Sequence, residues 1–167
     1  KTITKKNISQ VKKKYDLIVS WHSLEHFKNP FSTLKALDKL CKKNSYIILS
    51  LPNIRAFGFK LLKEKWPHID APRHINLIDF ETIIKIFEKK NYELIDIKTN
   101  DDDSKYNNRL SYAIFFSNFF NNKSFFNLNK FMKYIFQLLG IIARIIFIPL
   151  EERKLNGSSY NIILKKK

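Results

Sequence analysis

Two short apolar runs separated by a helix-length segment constrain the fold of this chain more than any other feature. The runs, Tyr15–Trp21 and Tyr46–Leu51, are typical of buried, parallel strands. Between them, Asn29 is a good N-cap and Pro30 suits the first helical position. The residues expected on the buried helix face are Phe31, Leu34, Leu37, Leu40 and Cys41. The pattern predicts a strand–helix–strand unit whose helix ends at Lys42-Lys43-Asn44, with Asn44 in a left-handed cap.

The rest of the chain continues the alternation of strands and helices. Asp79 is expected to cap a second helix, and the segment 92–97 reads as a third strand followed by a solvated acidic turn at 101–103. Residues 110–150 predict two helices broken near Asn121-Asn122, and Tyr160–Leu164 a last strand. The fold class expected is α/β, with a mostly parallel sheet.

Charge and cysteine content narrow the function classes. The net charge is +16, from 31 basic and 15 acidic side chains, which favours a polyanionic partner. However, Lys, Ile, Asn and Phe fill 80 of the 167 positions, and all four have A/T-rich codons, so a biased genome would produce this composition without any selection for binding. A nucleic-acid partner is therefore not expected. The single Cys41 excludes a disulfide framework and a cysteine-built zinc site, and it favours a cytoplasmic location.

The stretch 131–150 is the most hydrophobic part of the chain. Gln137 and Arg144 interrupt it and Pro149 stands near its end, which argues against a transmembrane helix. A core-packing helix is expected. The alternative is peripheral membrane contact through 131–150, with Lys130, Lys133 and Arg144 at the lipid headgroups.

Candidate functional residues cluster where the first strand ends, at His22-Ser23-Leu24-Glu25-His26. The carboxyl ends of strands are where open α/β sheets bind ligands. These residues also match the H-x-x-E-H motif of one group of zinc peptidases. In those enzymes a long helix presents the metal ligands, whereas here a strand precedes the motif. A second group, 65–74, combines bulky polar and aromatic side chains with two prolines, as lid loops do; the alternative is a surface loop whose Trp66 fills the sheet edge.

The ordered set of these motifs resembles class I S-adenosylmethionine-dependent methyltransferases, in the small-molecule branch called type 11 or type 23. The segment 15–27 followed by Asn29-Pro30 is similar to that family's "FD-V-…-LEH-…-DP" sequence. Leu51-Pro52-Asn53 and Pro72-Arg73-His74 then follow in the family's order. The resemblance implies a Rossmann-like methyltransferase sheet, and it covers about residues 10–100.

Two features of the family are missing from this sequence. The glycine-rich cofactor loop is absent, since the glycines are only Gly58, Gly140 and Gly157, and so is the acidic residue after the second strand. The resemblance therefore implies a C-terminal half, entering before the family's fourth strand and inactive alone. The expected organisation is a methyltransferase half at 1–100 with a lid at about 54–78, a hydrophobic helical insertion at 101–158, and the final strand at 159–167.

The resemblance also implies roles for particular residues. His74 and His26 would be catalytic, as base or acceptor-orienting groups. S-adenosylmethionine would lie beside Ser20, Trp21 and His22. The residues expected on the acceptor side are Glu25, Pro52, Asn53, Trp66, His68 and Arg73. No metal is assigned, although a Glu25/His26/His74 site stays open by analogy with relatives that carry E-x-x-E-H.

The function expected is methyl transfer to a small-molecule acceptor such as a sugar, a lipid or a quinone-like compound. The alternative is a peripheral membrane or lipid-associated protein derived from a methyltransferase and without catalysis. The hydrophobic stretch motivates that alternative.

Overall fold

The structure is a computed structural model that describes residues 11–120, 124–153 and 155–167. Its four strands are β1 (Tyr15–Trp21), β2 (Cys41–Pro52), β3 (Tyr92–Lys98) and β4 (Ser159–Lys166). They form one sheet in the order β1-β2-β4-β3, with β1 and β2 parallel and β3 and β4 antiparallel. The α/β prediction is confirmed, and the sheet is mixed rather than mostly parallel because an antiparallel pair forms one edge.

Five helices accompany the sheet in the described residues: α1 (Pro30–Lys39), α2 (Phe57–Leu62), α3 (Phe80–Glu88), α4 (Asp102–Phe120) and α5 (Lys130–Arg153). Short 3₁₀ turns occupy Leu24–His26, Lys63–Lys65, Pro67–Ile69 and Phe125–Asn127. The predicted pair of C-terminal helices is present, but the break expected near Asn121-Asn122 lies outside the described residues.

Helix α1 begins as predicted and ends earlier. The Asn29 side chain accepts a hydrogen bond from the Ser32 backbone N–H at 3.0 Å, as an N-cap does. The helix ends at Lys39 rather than at residues 42–44, because β1 pairs with the chain immediately afterwards: the Tyr15 N–H donates to the Leu40 carbonyl at 2.8 Å. Asn44 is left-handed, at φ 62°, but within β2.

Two expectations about burial in this part of the chain are wrong. Leu17, Val19 and Trp21 are each more than half exposed, whereas Ile18 is buried. Successive strand side chains point to opposite faces, so the face of β1 that carries these three residues is left uncovered by the described residues. In addition, β1 is an edge strand of the described sheet. Phe31 in the first turn of α1 is also exposed rather than on the buried helix face.

The acidic run before α4 is a helix start, not a solvated turn. Asp102 and Asp103 lie in the first turn of α4, where the helix dipole favours negative charge. The Asp101 carboxylate accepts hydrogen bonds from the Ser104 backbone N–H at 2.8 Å and from the Ser159 hydroxyl at 2.9 Å. These acidic side chains therefore stabilise the N-terminus of α4.

The described chain divides into two compact units. The sheet unit comprises the described residues through Pro52, Ala71–Lys98 and Asn161–Lys167. Its core is aliphatic and aromatic and includes Leu34, Ile47, Leu49, Ile83, Phe87 and Leu164. The helical unit comprises Asn53–Asp70 and Thr99–Tyr160, with Trp66 and Tyr112 among its largest buried side chains.

Helix α5 packs one face and leaves the other open. Phe136 and Ala143 are buried, and Gly140 lets the backbones of α4 and α5 approach closely. Lys130–Glu152 is long and apolar enough to cross a membrane, at mean hydropathy 1.8, yet only 17% of its most apolar window is buried. The expectation of a core-packing helix is therefore correct for one face only.

Candidate functional site

The polar cluster predicted at the end of β1 forms within the sheet unit. The chain leaves β1 through His22, whose φ of 40° reverses its direction, and enters the 3₁₀ turn Leu24–His26. The backbone carbonyl of Glu25 accepts hydrogen bonds from the N–H groups of Ile75 at 2.8 Å and Asn76 at 3.1 Å. Residues distant in sequence are thereby held against the turn at the carboxyl end of β1.

Glu25 is a fully buried carboxylate at the centre of this cluster, with 0% of its surface exposed. Neither carboxylate oxygen has a hydrogen-bond partner among the described residues. Its charge partner is His22, whose Nδ1 lies 3.3 Å from Oε1. Because a buried carboxylate without hydrogen-bond partners is costly, this group is a candidate to receive a cation, a proton or a polar ligand.

His26 and His74 stand beside one another next to Glu25. Their ring centroids are 4.8 Å apart, with planes inclined at 56°. His26 Nδ1 lies 2.9 Å from the Arg73 carbonyl oxygen. Since a carbonyl only accepts, this bond assigns the proton to Nδ1 and leaves the Nε2 lone pair of a neutral His26 able to accept another proton.

The same cluster has the donor types of a divalent-metal site. One ligand atom each from Glu25, His26 and His74 can be chosen so that all lie within 4.8 Å of one another. Two imidazole nitrogens and a carboxylate oxygen suit zinc or a related transition metal. The arrangement is therefore compatible with proton transfer and with cation binding.

The other predicted residues of the sheet unit lie along the same strand ends. The Ser20 hydroxyl is 3.1 Å from that of Ser23, and Trp21 is 55% exposed. Pro52 is buried at the end of β2, and the exposed Arg73 presents its carbonyl to His26. Roles for these residues in binding cofactor or acceptor stay predictions.

Three predicted acceptor-side residues belong to the helical unit, where each has a packing role. The Asn53 amide donates to the carbonyls of Leu155 and Gly157, both at 2.8 Å, and so holds the segment before β4. The Trp66 ring is buried and packs against Phe59 at 5.3 Å and against His68 at 4.9 Å. These are core contacts, and acceptor binding by the three residues stays a prediction.

Two residues of the site are not recognised from sequence. The Ser50 hydroxyl lies 3.3 Å from His22 Nε2, and the Asn76 side chain donates to the Phe27 carbonyl at 2.6 Å. Ser50 carries a weak signal, since it is a polar residue near the end of an otherwise apolar strand. Asn76 carries none, because only the tertiary contact between residues 25 and 75 brings it to the turn.

A family model described as "Methyltransferase domain" matches residues 2–97 of this chain. Comparison with curated proteins finds no match.

Solved structures are similar in fold. A SAM-dependent methyltransferase from Archaeoglobus fulgidus aligns over 96% of this chain and 64% of its own, at TM-score 0.51 and 19% identity. The plantazolicin methyltransferase BpumL in complex with SAH aligns over 97% and 55%, at TM-score 0.47 and 18% identity. The Haemonchus contortus enzyme described as phospholethanolamine N-methyltransferase 2 aligns over 92% and 33%, at TM-score 0.47 and 15% identity. The chain thus spans less than two thirds of the length of these structures.

Proposed function

The chain belongs to the methyltransferase-domain family, and from that membership we propose that it forms the acceptor-side part of an enzyme that methylates a small molecule with S-adenosylmethionine. The proposed acceptor carries an O–H or N–H nucleophile, as sugars, lipids and quinone precursors do. The observation that carries the proposal is the arrangement of His26 and His74 beside buried Glu25.

The histidine pair would handle the acceptor's proton. When bound, S-adenosylmethionine supplies an electrophilic methyl group. Attack by an O–H or N–H group requires loss of its proton, and the Nε2 lone pair of His26 is a suitable acceptor because Nδ1–H is held by the Arg73 carbonyl. His74, 4.8 Å away, would orient the acceptor or take the proton onward.

Glu25 would stabilise the charge that proton transfer creates. The Glu25 carboxylate lies close to both rings and carries the charge opposite to that of an imidazolium formed in the reaction. Ser20, Trp21 and His22 at the strand tip would lie beside the cofactor, and Arg73 would neutralise an acidic acceptor. Most of the catalytic benefit would come from alignment of acceptor and methyl group, with proton removal as a separate contribution.

The test is a methyl-transfer assay on the protein together with any residues that its gene encodes before Lys1, here called the extended protein. Purified protein is incubated with S-adenosylmethionine and panels of sugars, lipids and phenols, and S-adenosylhomocysteine is quantified by mass spectrometry. Acceptor-dependent production that falls in His26→Gln and His74→Gln supports the proposal. Absence of turnover with every panel, despite tight cofactor binding, would count against a catalytic role.

A second candidate function is association with a membrane surface, favoured by the exposed apolar side of α5. Eight large apolar side chains of that helix are exposed: Phe131, Tyr134, Leu138, Ile141, Ile142, Ile145, Ile146 and Leu150. At 100° per residue they cover about half of the helix circumference, so they form one continuous surface, the apolar face. An amphipathic helix of this kind lies in the bilayer interface.

A further inference from the structure

A cleft in the helical unit adjoins the apolar face. It has a volume of about 330 Å³ and lies between the first half of α4 and the second half of α5. We call it the basic cleft, and its lining residues are Asp102, Lys105, Tyr106, Arg109, Ile141, Arg144 and Ile145. It contains none of the residues assigned to methyl transfer.

The charge of the basic cleft favours an anion. Of its three cations, Lys105 is paired with the exposed Asp102 at 3.0 Å. Arg109 is stacked over the Tyr106 ring at 5.2 Å, an arrangement that leaves guanidinium donors for a ligand. Two guanidinium groups therefore line a cavity that holds a single carboxylate, which is already paired.

Arg144 carries a buried donor that the protein leaves unsatisfied. Its Nε has no hydrogen-bond partner among the described residues, and the nearest carboxylate oxygen, on Glu151, is 4.0 Å away. Burial raises the pKa of Glu151, and its Oε1 accepts from the Tyr112 hydroxyl at 2.5 Å. Oε1 of Glu151 is thus engaged by Tyr112, and its Oε2 makes only a long ion pair with Arg144 at 4.0 Å, without a hydrogen bond. A ligand oxygen in the cleft would give Arg144 Nε the hydrogen bond that it lacks.

The walls of the cleft are apolar where they meet the helix surface. Ile141 and Ile145 line the cleft and also belong to the apolar face. A ligand that occupies both features must have an anionic group attached to a hydrophobic part. Phospholipids have this chemistry, with a phosphate at the interface and acyl chains beneath it.

We propose that the basic cleft binds the phosphate of an anionic phospholipid in a bilayer, while the apolar face of α5 lies at the boundary between headgroups and acyl chains. The proposal rests on the membrane association put forward as a second candidate function, and it adds the lipid class and the residues that recognise it. Arg109 and Arg144 contact the phosphate, and Ile141 and Ile145 contact the lipid chains.

The occupant is a bilayer surface rather than a second copy of the chain. A second copy brings the same net charge of +16 and the same cations to the contact, whereas an anionic leaflet compensates them. Lys130 also lies on the flank of the apolar face nearest Arg144 when α5 is viewed down its axis. Cations on the flank of a hydrophobic surface extend to the headgroups.

The orientation is interfacial rather than transmembrane. The face of α5 opposite the apolar face packs on α4 through Gly140 and Ala143, and Glu151 is bonded to Tyr112 of α4. A spanning orientation would break this contact and place Arg144 in the hydrocarbon. A helix that lies in the plane of the interface keeps its contact with α4 and keeps Arg144 out of the hydrocarbon.

The experiment is vesicle flotation with the 167-residue chain. Vesicles of phosphatidylcholine alone are compared with vesicles containing about one third phosphatidylglycerol, at low and physiological salt. The variant Arg109→Gln/Arg144→Gln is compared with Lys28→Gln/Lys43→Gln, which removes the same charge from exposed positions of the sheet unit. Circular dichroism checks folding, and the single variant Arg109→Gln tests the cleft without changing the neighbour of Glu151.

We expect binding to anionic vesicles that falls roughly tenfold or more in the cleft variant and much less in the control variant. Equal losses in the two variants would overturn the assignment of the basic cleft as the phosphate site. They would indicate that only the net positive charge of the chain attracts it to the anionic surface. Equal binding to neutral and anionic vesicles would overturn the phosphate site while supporting membrane association. Binding to neither vesicle would overturn both membrane proposals and leave the methyl-transfer proposal untouched.

Discussion

At the residue scale, the candidate site consists of two imidazoles close to one buried carboxylate. In the extended protein, His74→Gln or His26→Gln is expected to lower turnover by roughly 10²–10⁴-fold, as loss of a general base does. Cofactor affinity should change little, because neither ring is assigned to the cofactor. Because the rings are 4.8 Å apart and act together, the double variant should be little worse than either single one.

The control for this prediction separates catalysis from packing and from metal binding. If His74 only packs, His74→Gln will keep near-normal turnover and change only the melting temperature. If the Glu25/His26/His74 cluster holds a required metal, incubation with EDTA will abolish turnover and an added divalent ion will restore it. With no metal assigned, we expect EDTA to leave turnover unchanged.

Asp38 of α1 connects this helix to β3 and β4, and its contacts allow a prediction about stability. Its carboxylate accepts from Lys90 Nζ at 2.8 Å, Lys166 Nζ at 2.9 Å and the Tyr92 hydroxyl at 3.1 Å. Burial opposes ionisation of Asp38, but these three donors outweigh it and hold its pKa below the ordinary 3.8. Asp38→Asn should therefore destabilise the fold by about 1–3 kcal/mol at neutral pH.

The pH dependence follows from the direction of that shift. A lowered folded-state pKa stabilises the fold above the unfolded value of 3.8, and the contribution is lost as pH falls through the folded value. The free energy of unfolding, measured with denaturant, should decrease over this acidic pH range in the natural chain. The decrease should be absent in Asp38→Asn. The exposed Asp16, paired with Lys42 at 2.8 Å, is the matched control, and Asp16→Asn should leave the stability and its acid dependence nearly unchanged because solvent screens an exposed ion pair.

At the element scale, Gly140 sets the distance between α4 and α5. A Cβ at this position would meet the Arg109 carbonyl oxygen at 2.5 Å and the Ala113 nitrogen at 3.0 Å. Gly140→Ala gains about 1 kcal/mol in helix propensity, but because the obstacle is backbone rather than a movable side chain, separating the two helices costs roughly 2–3 kcal/mol. We expect net destabilisation of about 1–2 kcal/mol by chemical denaturation.

The matched control places an alanine two residues further along the same helix. Ile142 is on the exposed apolar face, so Ile142→Ala should change stability by under about 0.5 kcal/mol. A Gly140→Ala variant as stable as the natural chain would contradict the claim that the close packing of α4 and α5 requires a glycine at this position.

The same scale shows what the sequence can and cannot predict. Elements with strong local signals, such as the Asn29 cap and the run that forms β1, are found where the sequence places them. Element ends are decided by pairing: Cys41 continues a helical pattern, yet it pairs with Tyr15 and begins β2. Similarly, the acidic run at 101–103 reads as a turn until Ser104 and Ser159 supply its hydrogen bonds.

At the scale of the whole molecule, the cluster of Glu25 with His26 and His74 could be anticipated because strand ends collect functional groups and the motif order resembles a family. The hydrogen bonds that hold residues 75 and 76 to Glu25 could not, since no local pattern encodes a contact across 50 residues. The exposure of one face of β1 could not be predicted either, because it depends on what packs against the sheet and not on the sequence of the strand.

The uncovered face and edge of β1 predict self-association. Leu17, Val19 and Trp21 form an apolar row on an edge strand, which is a template for pairing with another chain. Sedimentation velocity should show oligomers of the 167-residue chain. Val19→Lys should shift them toward monomer, whereas Phe31→Lys, which charges an equally exposed apolar position on α1, should not. A monomeric natural chain would contradict the prediction.

The last prediction concerns the cofactor and depends on the whole catalytic domain. The chain carries the residues expected beside S-adenosylmethionine at the tip of β1, but it has no glycine-rich loop to hold the cofactor's amino-acid end. Calorimetry should therefore detect weak or no binding to the 167-residue chain, and clear binding to a protein that also carries a glycine-rich cofactor loop before Lys1. In the extended protein, Trp21→Ala should weaken binding, while His74→Gln should not. Tight binding by the 167-residue chain would show that Ser20, Trp21 and His22 have been placed in the wrong part of the cofactor site.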